Sequence, residues 1–178
     1  PVPEVHRVGP GELVLERIEG PTMLEDLGSH PWRTRDHART LAELHRRLHA
    51  IEAPEALLPH PVAGPSVLHL DLHPGNVICS PSGPVVIDWT NARRGAAAVD
   101  VALTWILMAS SEVDEGPTAG SVPARIQARL ERRAVPWIRR QLVSTFLASS
   151  GAHAAARAVL AEVAEIRLTD PNVRPEEA

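Results

Sequence analysis

The stretch that decides the fold is HLDLHPGNVICSPSGPVVIDW, residues 69–89. Within it, two short apolar runs, Val77 to Ser80 and Pro84 to Ile87, flank a Pro-Ser-Gly sequence at residues 81–83. This pattern is typical of a β-hairpin. Because the outgoing and returning runs are equally long, at about 3.3 Å per residue, the end of the hairpin lies beside its start.

Polar side chains stand at both ends of this hairpin. Asn76 precedes the first run and Asp88 follows the second, so we expect the two side chains to lie side by side. Mg²⁺ prefers oxygen ligands and takes only one or two of them from protein. Asp71, upstream on the same loop, can accept the hydrogen bond of a hydroxyl that attacks a γ-phosphate. The sequence therefore predicts magnesium ligands at Asn76 and Asp88 and a catalytic base at Asp71.

The segments around this stretch are mostly helical in pattern. Glu12 to Ile18 reads as a short strand, and the chain from Val99 to Leu168 has helical periodicity, interrupted by a Glu/Asp/Gly/Pro segment near Ser111 to Val122 that we expect to be flexible. Before the loop, leucine and isoleucine recur at helical spacings, at Leu41, Leu44, Leu48 and Ile51. We expect a mainly α chain with a small antiparallel β element.

Composition narrows the class of protein. A chain of 178 residues with 44% hydrophobic residues is long enough to bury a core. A net charge of −4 gives no electrostatic basis for binding nucleic acid. The single cysteine, Cys79, gives no sign of an oxidising compartment, and the longest apolar stretch, Val99 to Ala109, is too short to cross a bilayer. We expect a cytoplasmic protein without nucleic-acid or membrane partners.

At the residues of the loop and hairpin, the chain resembles aminoglycoside phosphotransferases and choline-kinase-like enzymes, which have a protein-kinase-like fold. His69 to Asn76 looks like their catalytic loop, and Ile87-Asp88-Trp89 takes the place of the metal-binding Asp-Phe-Gly sequence. The resemblance implies a kinase that uses Mg²⁺ and transfers the γ-phosphate of ATP or GTP to a hydroxyl of a small molecule.

Two further segments carry the resemblance. Leu13 to Met23 is similar to the last strand and hinge of the small lobe, which implies that backbone groups of Glu16, Arg17 and Ile18 bind adenine. Asp100 matches a buried aspartate that braces the catalytic loop, and its place near the start of an apolar helix also makes it a candidate helix cap.

Two histidines of the loop have different expected roles. In the family, the residue at His69 faces backbone carbonyls, which implies a structural role. For His73 two interpretations stay open: it contacts the acceptor or the phosphate, or it is one of several solvated histidines.

The resemblance implies a division of the chain into residues 1–22, the end of the N-terminal lobe with the hinge, and residues 23–178, the helical catalytic C-terminal lobe. All 18 basic residues are arginines, so the lysine that contacts phosphates in the family is absent, as is a Gly-rich phosphate loop. We expect a chain without most of the nucleotide-covering lobe, either a fragment or a shortened protein, whose activity on its own is open.

Two other functions compete with the kinase. His69, Asp71 and His73 alternate, so on an extended segment they would share one face and could bind a hydrolytic zinc or iron ion. A kinase-derived module that only binds ligands is the second alternative. The acceptor is also open: acidic residues of the helical half could attract a cationic amino sugar or amino alcohol, or could simply be solvated, namely Glu112, Asp114, Glu115 and Glu131.

Overall fold

The computed structural model describes residues 1–110 and 122–169, with the backbone alone for residues 122–134. Its strands are β1 (Val5–Gly9), β2 (Glu12–Leu15), β3 (Ser66–Leu68), β4 (Val77–Ser80), β5 (Gly83–Val86) and β6 (Arg93–Gly95). Its helices are α1 (Met23–Ser29), α2 (Thr34–His49), α3 (Ala97–Ser110), α4 (Val122–Ser150) and α5 (His153–Thr169). The expectation of a mainly helical chain with small antiparallel β elements is confirmed.

Two segments fall outside this description. The linker expected near Ser111 to Val122 lies outside the described residues up to residue 121, and the tail of residues 170–178 lies outside them as well. Among the helices that the structure does describe, none combines the length and the apolar character needed to span a bilayer.

Two antiparallel strand pairs are nested around the loop. The inner pair is the predicted hairpin: β4 pairs with β5, with Val77 opposite Val86. The outer pair, β3 with β6, sets Leu68 opposite Arg93. The connections between the pairs, residues 69–76 and 87–92, must therefore lie side by side. The hairpin is confirmed, with its second strand one residue earlier than predicted.

Helix α2 supplies the core beneath the loop. Leu41, Leu44 and Leu48 are buried, as their spacing predicts, and Phe146 of α4 is fully buried in the same cluster. The helix ends at His49, so Ile51 lies in the following turn and its side chain is 54% exposed. The prediction that Ile51 belongs to the buried face is therefore wrong, because the helical period stops two residues before it.

The N-terminal segment reaches the hairpin through a tight contact. Strand β2 ends at Leu15, three residues before the predicted end at Ile18. Beyond it, the amide of Cys79 in β4 donates to Pro21 O at 2.8 Å. Gly20 has φ of 138°, and a Cβ there would lie 2.4 Å from Cys79 O. Only glycine fits this junction, because a side chain would meet backbone.

Helix α1 begins directly after this junction. The side chain of Thr22 accepts a hydrogen bond from the Glu25 amide, and the Glu25 carboxylate accepts one from the Thr22 amide, which together form a capping box. This cap fixes the direction of the chain between the N-terminal hairpin and the helical part.

Candidate active site

His69 ties the two connections together. Its side chain is fully buried; Nδ1 accepts a hydrogen bond of 3.2 Å from the Asp71 amide, and Nε2 donates one of 3.0 Å to Ile87 O. The ring also lies 4.6 Å from the ring of Trp89, measured between centroids. Both ring nitrogens are therefore used inside the protein, and neither faces a substrate or a metal ion.

Asp100 holds the start of the loop from below. Its carboxylate accepts hydrogen bonds from the backbone amides of His69 at 3.0 Å and Leu70 at 2.7 Å. His49 Nε2 lies 3.1 Å from the same carboxylate. Through these contacts the Asp100 carboxylate links α2 and α3 to the loop.

The charge and position of Asp100 follow from this setting. Burial by itself would raise the pKa of its carboxyl group, but the His49 hydrogen bond, the nearby His45 and the His69 amide together lower the pKa to about 2. Asp100 is the fourth residue of α3, which begins at Ala97. Its oxygens point to the loop, so the expectation that it caps the helix is wrong.

Two residues of the site have unusual backbone angles. Leu70 has φ of 63° and Asp88 has φ of 61°, both in the left-handed region that residues with side chains seldom adopt. Among the described residues they are the non-glycine residues with positive φ. Such strain occurs preferentially at functional sites, where the surrounding structure enforces it.

Asp71 is oriented by Asn76. Asn76 Nδ2 donates to Asp71 Oδ2 at 2.9 Å and to Asp71 O at 2.8 Å. The other carboxylate oxygen, Oδ1, lies 3.6 Å from His73 Nε2. The Asp71 side chain is 26% exposed, so the carboxylate is fixed on one side and accessible on the other.

His73 stands beside this carboxylate. Its Nδ1 accepts a hydrogen bond of 3.1 Å from the Gly75 amide, and a Cβ on Gly75 would lie 2.7 Å from the imidazole ring. Burial lowers the pKa of His73, and the negative charge of Asp71 opposes that effect. The ring is 31% exposed, so it lies at the edge of the site and both interpretations of its role stay open.

Asn76 and Asp88 lie at the open ends of the hairpin. The Ile87 amide donates to Asn76 O at 3.0 Å, which continues the pairing of β4 and β5 by one step. Because Asn76 Nδ2 faces Asp71, its remaining side-chain donor or acceptor is Oδ1. Asp88 is exposed, and its Oδ1 accepts a hydrogen bond of 2.6 Å from the Thr90 hydroxyl. Each side chain thus keeps one oxygen that these contacts do not use.

The expected hinge residues lie just beyond the N-terminal hairpin. The Glu16 amide donates to Glu4 O at 2.8 Å, so this N–H is already used. The side chains of Arg17 and Glu19 form an exposed ion pair at 3.1 Å. Ile18 is partly buried.

The structure adds residues that sequence analysis did not assign. Thr90 contacts the Asp88 carboxylate, and its place two residues after Asp88 was the only signal for it. His45 and Thr104 are buried around the loop, and His49 beside them is partly buried. The histidines share the helical period of the buried leucines of α2, which shows that they face the core but not what they meet. The acidic side chains named above, from Glu112 to Glu131, lie outside the described residues.

Comparison with known proteins gives a family and several relatives. The model of the family described as "Phosphotransferase enzyme family" matches residues 3–139. A thiamine kinase of Escherichia coli (strain SMS-3-5 / SECEC) is 33% identical over 114 residues, which cover 60% of this chain and 39% of the relative. A thiamine kinase of Shigella boydii serotype 4 (strain Sb227) is 32% identical over 111 residues, with the same coverage. The chain thus spans well under half the length of these relatives.

Proposed function

Because this chain belongs to the phosphotransferase enzyme family, we propose that the protein transfers the γ-phosphate of ATP or GTP to a hydroxyl group of a small molecule. The observation that carries this proposal is the arrangement of Asp71, which Asn76 fixes on one side and which stays accessible on the other. Phosphoryl transfer needs little covalent chemistry from the protein, and it depends mainly on positioning and charge.

Asp71 is the catalytic base in this proposal. With Oδ2 held by Asn76 Nδ2, the Oδ1 atom accepts the hydrogen bond of the acceptor hydroxyl and directs its oxygen toward the γ-phosphate. The hydroxyl proton passes to the carboxylate as the new oxygen–phosphorus bond forms and the bond to the nucleoside diphosphate breaks. His69 and Asp100 support the loop that carries Asp71.

The donor set fits a magnesium ion. The Oδ1 atom of Asn76 and the Oδ2 atom of Asp88 are hard oxygen donors that the described contacts leave over, and Asp88 is exposed enough to receive an ion. Asn76 and Asp88 would hold the ion. When bound, Mg²⁺ neutralises phosphate charge and so favours departure of the nucleoside diphosphate.

The nucleotide base is assigned to the hinge. Arg17 and Ile18 would offer backbone N–H and C=O groups to adenine or guanine, and Glu16 would take part through its carbonyl, because its amide already bonds to Glu4. In this proposal residues 1–22 are the end of the N-terminal lobe with the hinge, and residues 23–178 are the catalytic C-terminal lobe. The cytoplasmic location stays a prediction of the same kind.

Thiamine is the first acceptor to test. The relatives reported above are thiamine kinases, and thiamine carries a primary hydroxyl on a permanently cationic molecule. In this proposal His73, at the edge of the site beside Asp71, would contact either this hydroxyl or the phosphate. Amino sugars and amino alcohols share the combination of hydroxyl and positive charge, and they form the comparison set.

The test is a transfer assay on the purified protein. Radiolabelled ATP or GTP with Mg²⁺ is incubated with each acceptor, and phosphorylated products are separated and counted. We expect label on one acceptor class with wild type and none with Asp71→Asn. Any label transferred by the variant, purified in the same way, would come from contaminating kinases. Nucleotide binding without transfer to any acceptor would favour the ligand-binding module instead.

The metal-hydrolase alternative finds no support in the geometry. It requires His69, Asp71 and His73 to share one face, whereas both ring nitrogens of His69 are used by backbone groups. Within the described ranges, no three His, Cys, Asp or Glu side chains are grouped to hold a metal ion.

A further inference from the structure

A second buried polar contact reaches the loop from the helices. His45 of α2 and Thr104 of α3 are each 1% exposed, and His45 Nε2 lies 3.0 Å from Thr104 Oγ1. The Thr104 hydroxyl donates a hydrogen bond of 2.8 Å to Leu72 O. Leu72 is the residue between Asp71 and His73, so this contact ends on the Leu72–His73 peptide group, one residue beyond the proposed base.

This contact is distinct from the one that Asp100 makes. Asp100 accepts from backbone amides at the start of the loop, whereas Thr104, one helical turn further along α3, donates to a carbonyl at the other side of Asp71. The loop is therefore held on both sides of the Asp71 residue, by an acceptor before it and by a donor after it.

His45 and Thr104 together have fewer hydrogens than contacts. A neutral His45 has one ring hydrogen and Thr104 has one hydroxyl hydrogen, yet three contacts need one: His45 Nδ1 to Leu41 O at 2.9 Å, His45 Nε2 to Thr104, and Thr104 to Leu72 O. Leu41 O also faces the helical amide of His45, four residues on. When the ring hydrogen is on Nε2, the two hydrogens run in one direction, from His45 through Thr104 to the loop.

We infer that His45 and Thr104 are positioning residues, which fix the Leu72–His73 peptide and thereby the direction of the Asp71 carboxylate. Neither side chain touches the reacting groups. Two apolar side chains of the same size would fill this space without the desolvation of a hydroxyl and an imidazole, so packing alone does not explain the pair. The inference rests on the proposed function, because positioning the Asp71 carboxylate matters only if Asp71 is the catalytic base.

The decisive variants differ by one hydroxyl group. Thr104→Val keeps the shape of the side chain and removes the donor, whereas Thr104→Ser keeps the donor. We expect Thr104→Val to lower kcat roughly tenfold to a hundredfold, because small misplacements of a reacting group cost that much. KM for nucleotide and acceptor should change less than about twofold. Thr104→Ser should keep most of the wild-type kcat. Likewise, kcat of His45→Gln, which keeps a side-chain donor, should exceed kcat of His45→Leu, which has none.

A matched control separates positioning from folding. Thr34 is also a buried threonine, and its hydroxyl donates to a backbone carbonyl, Pro31 O, at 2.6 Å, outside the loop. Thr34→Val should lower the unfolding midpoint about as much as Thr104→Val and leave kcat unchanged. Equal kcat in Thr104→Val and Thr104→Ser would overturn the inference.

A measurement without substrate keeps the two proposals apart. Hydrogen exchange at the amides of residues 69–76 is compared between wild type, Thr104→Val and Thr34→Val. If wild type phosphorylates no acceptor, the proposed function fails. Faster exchange of the loop amides in Thr104→Val alone would still support the positioning role of Thr104. Unchanged exchange of the loop amides in Thr104→Val would overturn the positioning role, whatever the activity of the wild type.

Discussion

The Asp100 carboxylate and the His69 amide, 31 positions apart in the chain, are joined by a hydrogen bond of 3.0 Å. The bond connects the first turn of α3 to the first residue of the loop. Because the adjacent Leu70 is held by the same carboxylate in a left-handed conformation, Asp100 offsets the strain of that residue. The pKa of Asp100 is lowered mainly by His49 and His45, and the His69 amide of the loop adds to this effect.

We predict that Asp100 makes folding stability depend on pH in the acid range. Its pKa is about 2 in the folded protein and about 3.9 in an unfolded chain, so its contribution is complete above about pH 4 and is lost as the pH falls through about 2. The contribution is about 3 kcal/mol. Urea unfolding across this range should show this slope in wild type, and Asp100→Asn should be less stable but lack it. Equal slopes would contradict the assignment.

His45 should act in a separate, higher window. Burial lowers the pKa of His45 from 6.5 to about 4, so the folded state keeps it neutral while the unfolded state takes up a proton. Its contribution is complete above about pH 6.5 and is lost as the pH falls to about 4, in total about 3 kcal/mol. The pKa values of His60 and His73 are lowered too, with the same sign. The difference between wild type and His45→Gln isolates His45, and a difference independent of pH would refute it.

Asp71→Asn should nearly abolish phosphoryl transfer. The amide keeps the size of the side chain but does not take up the hydroxyl proton, so kcat should fall between about a hundredfold and ten-thousandfold. Nucleotide affinity, measured by calorimetry, should stay within about twofold of wild type, since the change removes a transition-state contact. Asp36→Asn, which alters an exposed carboxylate of α2 paired with Arg39, is the control and should keep the wild-type rate.

Thr90 should control the magnesium dependence of the reaction through Asp88. Its hydroxyl holds Asp88 Oδ1 at 2.6 Å and so sets the direction of the other oxygen. Partners of metal ligands are commonly worth about tenfold to a hundredfold in metal affinity. Thr90→Val should raise the Mg²⁺ concentration for half-maximal rate by about that factor, Asp88→Asn by at least as much, and Thr90→Ser much less. Identical magnesium curves for the valine and serine variants would remove Thr90 from the site.

Gly20→Ala should disturb both stability and nucleotide binding. The new Cβ would lie 2.4 Å from Cys79 O, at a φ of 138°, so the hinge would have to move away from β4. We expect a loss of about 1–3 kcal/mol and a higher KM for nucleotide. Gly28→Ala is the matched control: it adds a methyl group to α1 with nothing within 4 Å, and it should raise stability by about 0.5–1 kcal/mol.

The part of the fold that sequence predicted is the part fixed by nearby residues. The β4–β5 hairpin follows from two apolar runs around a Pro-Ser-Gly turn, although its register is one residue off the predicted one: Val77 lies opposite Val86, where equal runs predict Ile87. The β3–β6 pair was not predicted, because Arg93-Arg94-Gly95 has no apolar alternation and its partner is distant in sequence. Yet this outer pair holds the two ends of the loop region together. Patterns of nearby residues therefore predict the hairpin but not the strand pair that surrounds it.

The same limit applies to the site. The loop motif predicts Asp71, Asn76 and Asp88 as site residues, since their types and spacing have a chemical meaning. The period of α2 shows only that His45 faces the core, and it does not give Thr104 as the contact. The sequence pattern predicts that α3 begins near Val99, which makes Asp100 a candidate cap, whereas the first helical residue is Ala97.

The outer strand pair has a consequence for protein engineering. Ser66 and Gly95 lie opposite each other, so the segment between them leaves the rest of the molecule at almost the same point where it enters. A segment with adjacent ends can be exchanged as one cassette between homologous scaffolds without stretching the junctions. Such a chimera must take Asp100 and Thr104 from the same parent as the cassette, because both side chains bond to the backbone of its loop.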